Sequence, residues 1–452
     1  MTRSAQPTDD PHPHRVLVMA EEANPEQVSV PLEGYSHAQA ILKRSRESGG
    51  WAHLVTQVRN REALLRAGWA EGPDADFTVI DTEPIAAPMN TLGEWVRGGG
   101  GKGWTTVMAM RAFTTYAAFD MAAWSRFKGE ARAGEIDIVH RLTPLSPTVP
   151  WRRIAAWERA GVRTVMGPIN GGVPWPRAFD SARRAEREWL SYIRDAHKLV
   201  PGYAKTRRRA SAITIGSTAT FGQMPERYRE RCVYIPENAI DPSRFAAERA
   251  VPAGAHDGPV RLVFVGRLVP YKGADMLLEA AAPLVRDGRA TVTILGDGDE
   301  MPKLKAIVER EQLTDGVHLP GWVKHEELSE KLAQADVFAF PSIREFGGAV
   351  VLEAMALGVV PVVADYGGPS ELVTDATGVR VPMADRAGLV ASFRSALEGV
   401  VADRPALARM GTAARERVFA HFTWDAKATM DAAVYDWVRG GAEKPDFGMP
   451  IG

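Results

Sequence analysis

The sequence predicts an α/β protein of two doubly wound domains, each a parallel sheet with helices on both faces. Three observations carry this reading. Short β-branched and apolar runs alternate with long helical patterns, as strand–helix–strand units require. The runs fall into two sets, separated by a Pro/Gly/Ala-rich stretch from Ala246 to Pro259 that has the composition of a linker. Several runs end in Gly- or Pro-rich turns, at the carboxyl ends of strands where such sheets bind ligands.

In the first set the candidate strands are Arg15–Ala20, His53–Thr56, Asp76–Ile80, Ile136–Arg141, Arg163–Gly167, Lys198–Val200 and Ala212–Ile215. In the second they are Arg261–Val265, Ala290–Leu295, Val317–Leu319, Asp336–Phe340, Val360–Ala364 and Gly378–Val381. The expected organisation is a polar arm over 1–14, a first domain over 15–245, a linker over 246–259, a second domain over 260–424, and a final helix over 425–440. A cleft between the domains is expected to hold the ligand.

Composition narrows the function. The chain has 452 residues, enough for two or three domains with their own cores. A formal net charge of −1 offers no bulk attraction to nucleic acid or anionic lipid. The single cysteine, Cys232, excludes an intrachain disulfide and a cysteine-based metal site. No run reaches the roughly 18 apolar residues of a membrane helix. The Pro-rich start, Met1 to His14, lacks the apolar core of a signal peptide and is expected to be a disordered arm. A cytoplasmic protein is the expectation, with room for a peripheral contact at the inner membrane face.

The most informative stretch is Ser342 to Met355. An apolar run, Asp336 to Pro341, leads into a loop carrying Glu345, then Gly347-Gly348, then a helix carrying Glu353. A strand, a Gly-Gly turn and a helix N-terminus make an anion site from free backbone N–H groups and the helix dipole. Two carboxylates eight positions apart beside that site suit a ligand that is both phosphate and polyol, as a nucleotide sugar is. Glu353 lies among Val350, Val351, Leu352, Ala354 and Met355, and a carboxylate in that setting needs a partner. After the second set's first strand, Gly266-Arg267 and Lys272-Gly273 place two cations five apart on a turn, which suits a diphosphate. A third piece, Gly367-Gly368-Pro369-Ser370-Glu371, is a sharp turn at another strand end.

Two further glycine-rich stretches are weaker. Gly98–Gly103 is not a Walker loop, because Val96 and Gly103 stand where a Gly and a Ser/Thr are needed. It is expected to be a mobile loop between Trp95 and Trp104. Gly296-Asp297-Gly298-Asp299-Glu300 lacks the third Gly of a dinucleotide fingerprint, with Met301 in its place. It fits an acidic strand-to-helix turn or a lining of the donor cleft.

Together these pieces resemble the retaining glycosyltransferases of family 4, the group 1 glycosyltransferases of GT-B fold. The resemblance covers roughly Pro259 to Trp424 in order and spacing. It implies that Arg267 and Lys272 bind the donor diphosphate, that Glu345 contacts the transferred sugar, and that Glu353 holds the ribose hydroxyls. Backbone N–H groups from Gly347 and Gly348 through Ala349 and Val350 would touch the phosphates. The base would lie against Gly321 to Lys324, at Val323. One departure stands out: the family commonly reads Glu-Gly-Phe-Gly where this chain reads Glu345-Phe346-Gly347-Gly348.

The first half resembles the family less. Gly34, with His37 nearby, takes the place of a Gly-rich loop near the phosphate and acceptor. His140, at the end of a strand, takes the place of a His that faces the sugar and joins the catalytic set. Gly167 to Pro174 is a candidate lining of the acceptor side. Arg177, Arg183, Arg184, Arg187 and Arg207 to Arg209 form basic patches, and Phe113 to Phe127 an aromatic-rich helical pattern. These fit a membrane-surface role for a lipid-linked acceptor, or a solvated face over a core helix. The final helix, Trp424 to Trp437, is expected to cross back to the first domain.

The implied activity is transfer of a hexose-type sugar from a nucleotide-diphosphate donor to a hydroxyl of a glycan, lipid or small molecule, in cell-surface polysaccharide biosynthesis. No metal and no cofactor beyond the donor substrate are expected, nor nucleic acid or an obligate protein partner. The alternatives are an inactive nucleotide-sugar-binding module, a GT-B phosphorylase and an epimerase.

Overall fold

The computed structural model describes residues 13–88, 114–176, 179, 200–245 and 253–448. The expected arm up to residue 12, the Gly98–Gly103 loop with Trp95 and Trp104, Phe113, the four arginines between 177 and 187, Lys198, and the linker over 246–252 lie outside the described residues.

The chain divides into two compact units. Unit 1 takes described residues 13–171, 200–237 and 424–448; unit 2 takes 172–176, 179 and 238–423.

Unit 1 holds a parallel sheet of β1 (Arg15–Met19), β2 (Trp51–Gln57), β3 (Phe77–Ile80), β4 (Ile138–Arg141), β5 (Arg163–Ile169), β6 (Ala212–Ile215) and β7 (Cys232–Tyr234). Their order is β3-β2-β1-β4-β5-β6-β7. The central strands are apolar along their length because helices cover both faces: Leu17, Val18, Met19, Ile138, Val139 and Val165 are fully buried. The edge strand β7 was not expected. It has three residues and pairs only with β6, so its apolar run is too short to stand out from the Pro-rich chain around it. Of the run expected at Lys198–Val200, only Val200 is described, and it lies in a bend.

Unit 2 repeats the plan with β8 (Val260–Val265), β9 (Ala290–Leu295), β10 (Val317–Gly321), β11 (Val337–Phe340), β12 (Val360–Ala364) and β13 (Val379–Val381), in the order β10-β9-β8-β11-β12-β13. All pairings are parallel. Asp336 ties the unit's first strand to its centre. Its buried carboxylate accepts from the backbone N–H groups of Gly254 and Arg261, the Arg261 guanidinium and His256. Burial alone would raise its pKa, but these bonds hold it well below the usual carboxylate range.

In both sheets the strand order reverses beside the first strand, between β1 and β4 and between β8 and β11. The carboxyl ends of these strand pairs are where a doubly wound sheet leaves a crevice.

The helix Trp424–Arg439 belongs to unit 1, as expected of a helix that returns to the first domain. It packs along the helix Val30–Glu47. His37 Nε2 lies 2.5 Å from Asp431, Lys43 2.7 Å from Asp425, and His14 2.8 Å from Asp436. Among the described residues, no helix is long and apolar enough to cross a membrane.

Candidate nucleotide-sugar site

The site is assembled at the β8/β11 reversal of unit 2. After β8 the chain makes a turn at Gly266 and Arg267 and a short 3-10 helix, Pro270–Lys272. The helix Ala274–Arg286 follows, capped by Gly273 in the left-handed conformation. After β11 it runs through Pro341–Gly347 into the helix Ala349–Ala356, capped by Gly348, also left-handed at φ 69°. A non-glycine residue at such a φ is strained, which explains the glycine at each cap.

Hydrogen bonds to one backbone carbonyl join the two loops across about 72 residues of sequence. The Tyr271 carbonyl accepts from Ile343 N–H at 2.9 Å and from the Ser342 hydroxyl at 3.4 Å. That union brings the Lys272 ammonium onto the Glu345 carboxylate as an ion pair, both side chains mostly buried. The ammonium also sits 5.1 Å from the centre of the Phe340 ring. Arg267 donates to the Tyr271 hydroxyl at 2.9 Å.

The Gly367-Gly368 turn closes against this loop. Gly368 N–H donates to the Glu345 carbonyl at 3.2 Å, and a Cβ on Gly368 would stand 2.0 Å from the Phe346 carbonyl oxygen. Gly296-Asp297-Gly298 lies on the other flank, where Leu268 N–H donates to the Asp297 carbonyl at 2.9 Å. The Gly296-Asp297-Gly298 segment thus serves as a turn packed on the Arg267 loop. Gly296 N–H donates to the Gly321 carbonyl at 2.9 Å, bringing the Gly321–Lys324 segment to the same end of the sheet. Trp322 there is 73% exposed.

Val351 N–H of the helix at Ala349 already donates to the Gly348 carbonyl at 2.9 Å, while the N–H groups of Ala349 and Val350 have no hydrogen-bond acceptor among the described residues, so the helix presents these two donors and a positive dipole end. Glu353, one turn in, is half-buried. Burial raises its pKa, and the charge of Arg244 opposes that shift. Its carboxylate has no hydrogen-bond partner among the described residues, which suits a group kept for the hydroxyls of a ligand.

The structure therefore gathers Arg267, Lys272, Glu345, Gly347, Gly348, Ala349, Val350 and Glu353 at one end of unit 2, with Val323 on the strand end two places along the sheet. It also brings in residues 172–175, at the end of the Gly167–Pro174 segment that the sequence offers as a lining of the acceptor side. The Arg344 guanidinium reaches the Val173 carbonyl, and the Phe346 ring packs over Gly172.

Gly34 and His140 belong to unit 1. Gly34 is a point of close approach: a Cβ there would stand 2.1 Å from the Glu22 carbonyl oxygen, so the glycine lets the helix Val30–Glu47 sit against the loop after β1. His140 does end β4, but it is fully buried and both ring nitrogens are engaged. Nε2 donates to the Gly167 carbonyl at 2.9 Å, since a carbonyl can only accept, and Nδ1 accepts from the Tyr435 hydroxyl at 2.7 Å. Burial pushes its pKa down to about 4, aided by His37 and opposed by Asp431. The sequence placed this His facing the sugar; the structure places it in a core, as a neutral link to the C-terminal helix.

Around it lies a buried polar network. Lys427 donates to the Glu237 carbonyl, and burial lowers its pKa to about 8 against the pull of Asp431, Glu33 and Glu237. Burial and the charge of Glu237 raise Glu33 to about 8. Burial raises Asp431 to about 6, while His140 and Lys427 oppose.

Two doubly wound parallel units, with cations and a helix N-terminus gathered at the reversal point of the second, define the GT-B class of transferases. The family model for glycosyl transferases group 1 matches residues 248–417. The chain is 33% identical over 319 residues to a GDP-mannose-dependent alpha-(1-6)-phosphatidylinositol monomannoside mannosyltransferase of Mycobacterium tuberculosis, covering 66% of this chain and 74% of that protein. It is 35% identical over 224 residues to a glycogen synthase of the same species, covering 48% of this chain and 52% of that one. The chain thus spans about half the length of the latter relative. The sucrose-phosphate synthase of Thermosynechococcus elongatus shares the fold, with a TM-score of 0.58 at 18% identity over 95% of this chain and 100% of that chain. The chain belongs to the group 1 glycosyltransferases.

Proposed function

We propose that the protein is a retaining, metal-independent glycosyltransferase that moves a hexose-type sugar from a nucleotide-diphosphate donor to a hydroxyl acceptor. The observation that carries this reading is the convergence of Lys272 and Glu345, ion-paired across two loops, beside Arg267 and an open helix N-terminus. Cations and free N–H groups suit the diphosphate. Glu345, ion-paired with Lys272, suits the hydroxyls of the sugar.

In the proposed reaction the bond from the anomeric carbon to the β-phosphate oxygen breaks as the acceptor oxygen bonds to the same face. The acceptor proton passes to the leaving phosphate oxygen, and the nucleoside diphosphate departs. Arg267, Lys272 and the first-turn N–H groups of the Ala349 helix stabilise the negative charge that grows on that phosphate. The relatives named for GDP-mannose-dependent transfer to a phosphatidylinositol mannoside and for glycogen synthesis support a hexose donor and a glycan or lipid-linked acceptor. With it goes a cytoplasmic setting at the inner membrane face, in cell-surface polysaccharide biosynthesis.

The test is to incubate the protein with a panel of GDP-, UDP- and ADP-hexoses and carbohydrate acceptors, with and without chelator, and to read product stereochemistry by NMR. Retention of configuration with unchanged rate in chelator is expected. An inverted product, or no turnover of any nucleotide sugar, overturns the reading.

A further inference from the structure

Residues 172–175 continue the chain from β5 of unit 1 yet cluster with unit 2. They belong to none of its strands; side chains hold them, and those side chains come from all three loops of the site. From the Glu345 loop, Arg344 Nε donates to the Val173 carbonyl at 3.3 Å, and the Arg344 guanidinium lies 4.8 Å from the centre of the Trp175 ring and 5.1 Å from that of Phe346. From the Gly367 turn, the Tyr366 hydroxyl donates to the Pro174 carbonyl at 2.8 Å. From the Arg267 loop, Tyr271 meets Trp175 edge to face at 5.9 Å, and its hydroxyl takes Arg267 at 2.9 Å. At the near end, a Cβ on Gly172 would stand 2.8 Å from the Phe346 ring, which is itself 38% exposed.

We propose that this strap is a built part of the nucleotide-sugar site, with Trp175 as a positioning residue that aligns Arg267 through Tyr271 and the Glu345 loop through Arg344. The proposal rests on the functional reading above. A guanidinium on a flexible stem loses rotamer freedom when it grips a phosphate, and fixing it beforehand lowers that cost. The Trp175–Tyr271–Arg267 chain does this at the diphosphate end. Phe346, packed over Gly172 one residue from Glu345, shapes the sugar end. The two ends therefore respond differently: Trp175 governs affinity for the nucleoside diphosphate itself, and Phe346 governs the choice between sugars. The exchange of Phe and Gly after Glu345 sets the Phe346 ring against Gly172 of the strap and under the Arg344 guanidinium.

Calorimetric titration of wild type, Trp175→Ala, Trp175→Phe and Phe346→Ala with GDP, UDP and ADP, paired with steady-state rates on the matching hexoses, tests this. Trp175→Ala is expected to weaken nucleoside diphosphate binding about tenfold or more, and Trp175→Phe to restore it to within about threefold, since the ring contacts survive. Phe346→Ala is expected to leave that affinity within about twofold while shifting the kcat/KM ratio between two hexoses on one base about tenfold. Should Trp175→Ala not fold, Tyr271→Phe removes only the hydroxyl that takes Arg267, and a loss of binding of about threefold or more is expected. Wild-type binding with unchanged affinity in the folded Trp175 or Tyr271 variant overturns the strap proposal alone. Absence of nucleotide binding by wild type overturns the functional reading and the proposal with it.

Discussion

The two units share one topology and use its reversal point in opposite ways. In unit 2 the ends of β8 and β11 present Arg267, Lys272, Glu345, a helix N-terminus and a carboxylate, Glu353, with no hydrogen-bond partner among the described residues. In unit 1 the end of β4 is lined by groups that largely engage one another, His140 with Tyr435 and Gly167, His37 with Asp431, Lys427 with the Glu237 carbonyl, while Asp431 Oδ1 and Glu33 Oε2 stay buried without a hydrogen-bond partner among the described residues. The groups that fill unit 1 come largely from one element, the helix Trp424–Arg439. A crevice at a strand reversal is thus an opportunity that the rest of the chain can fill or leave open.

Breaking the open site should have the largest effect. Lys272→Ala, Arg267→Ala and Glu345→Ala are each expected to lower kcat about a hundredfold or more, in line with roughly 3 kcal/mol per charge-stabilising contact. Urea unfolding should show the variants folded; near-wild-type rates in all three would remove the distinction between the units.

The filled site should answer to pH instead. The folded-state pKa of His140 is depressed from 6.5 to about 4, so its stabilising contribution is present above pH 6.5 and lost as pH falls toward 4, an effect on the order of 3 kcal/mol. His37 is shifted the same way by burial and by Lys427. Asp431, raised to about 6, works against them, favouring the fold as pH drops from 6 toward 3.8. Urea midpoints between pH 7 and 4 should therefore fall more steeply for wild type than for His140→Phe; equal slopes would contradict the buried, neutral assignment.

At pH 7 the same His140→Phe variant should lose about 1–3 kcal/mol, because the Tyr435 hydroxyl and the Gly167 carbonyl lose their partner. Its kcat should stay within about twofold of wild type. A collapse of kcat with stability intact would return His140 to the catalytic set and make the two reversal points alike.

The smallest effect is expected at Trp322, whose ring is largely exposed. Trp322→Ala should leave stability within about 0.5 kcal/mol while reducing nucleoside diphosphate affinity severalfold, read by calorimetry.

The same contrast explains what the sequence made legible. The unit 2 site is built from short segments whose chemistry is local: a Gly-capped helix, a Gly-Gly turn, cations five apart. Each could be recognised before it was known which would meet. The partners of His140 could not, since Tyr435 lies 295 residues away on a helix whose direction is known from sequence but whose facing side chains are not. His140 looked like a free imidazole at a strand end because its neutralising contacts are tertiary. The strap at 172–175 was missed as part of unit 2 for the same reason: Gly172 and Trp175 acquire meaning only against Phe346, Arg344 and Tyr271. The strand β7 went unread because three residues at a sheet edge carry no periodicity.

The central claim is that the open reversal point of unit 2 binds the nucleotide end of the donor. Isothermal titration of a nucleoside diphosphate into wild type, Lys272→Ala and Tyr435→Phe tests it most directly. The account predicts saturable binding to wild type, at least about a tenfold loss in Lys272→Ala, and wild-type affinity in Tyr435→Phe. Equal affinity in all three, or loss in Tyr435→Phe with Lys272→Ala unaffected, would contradict it.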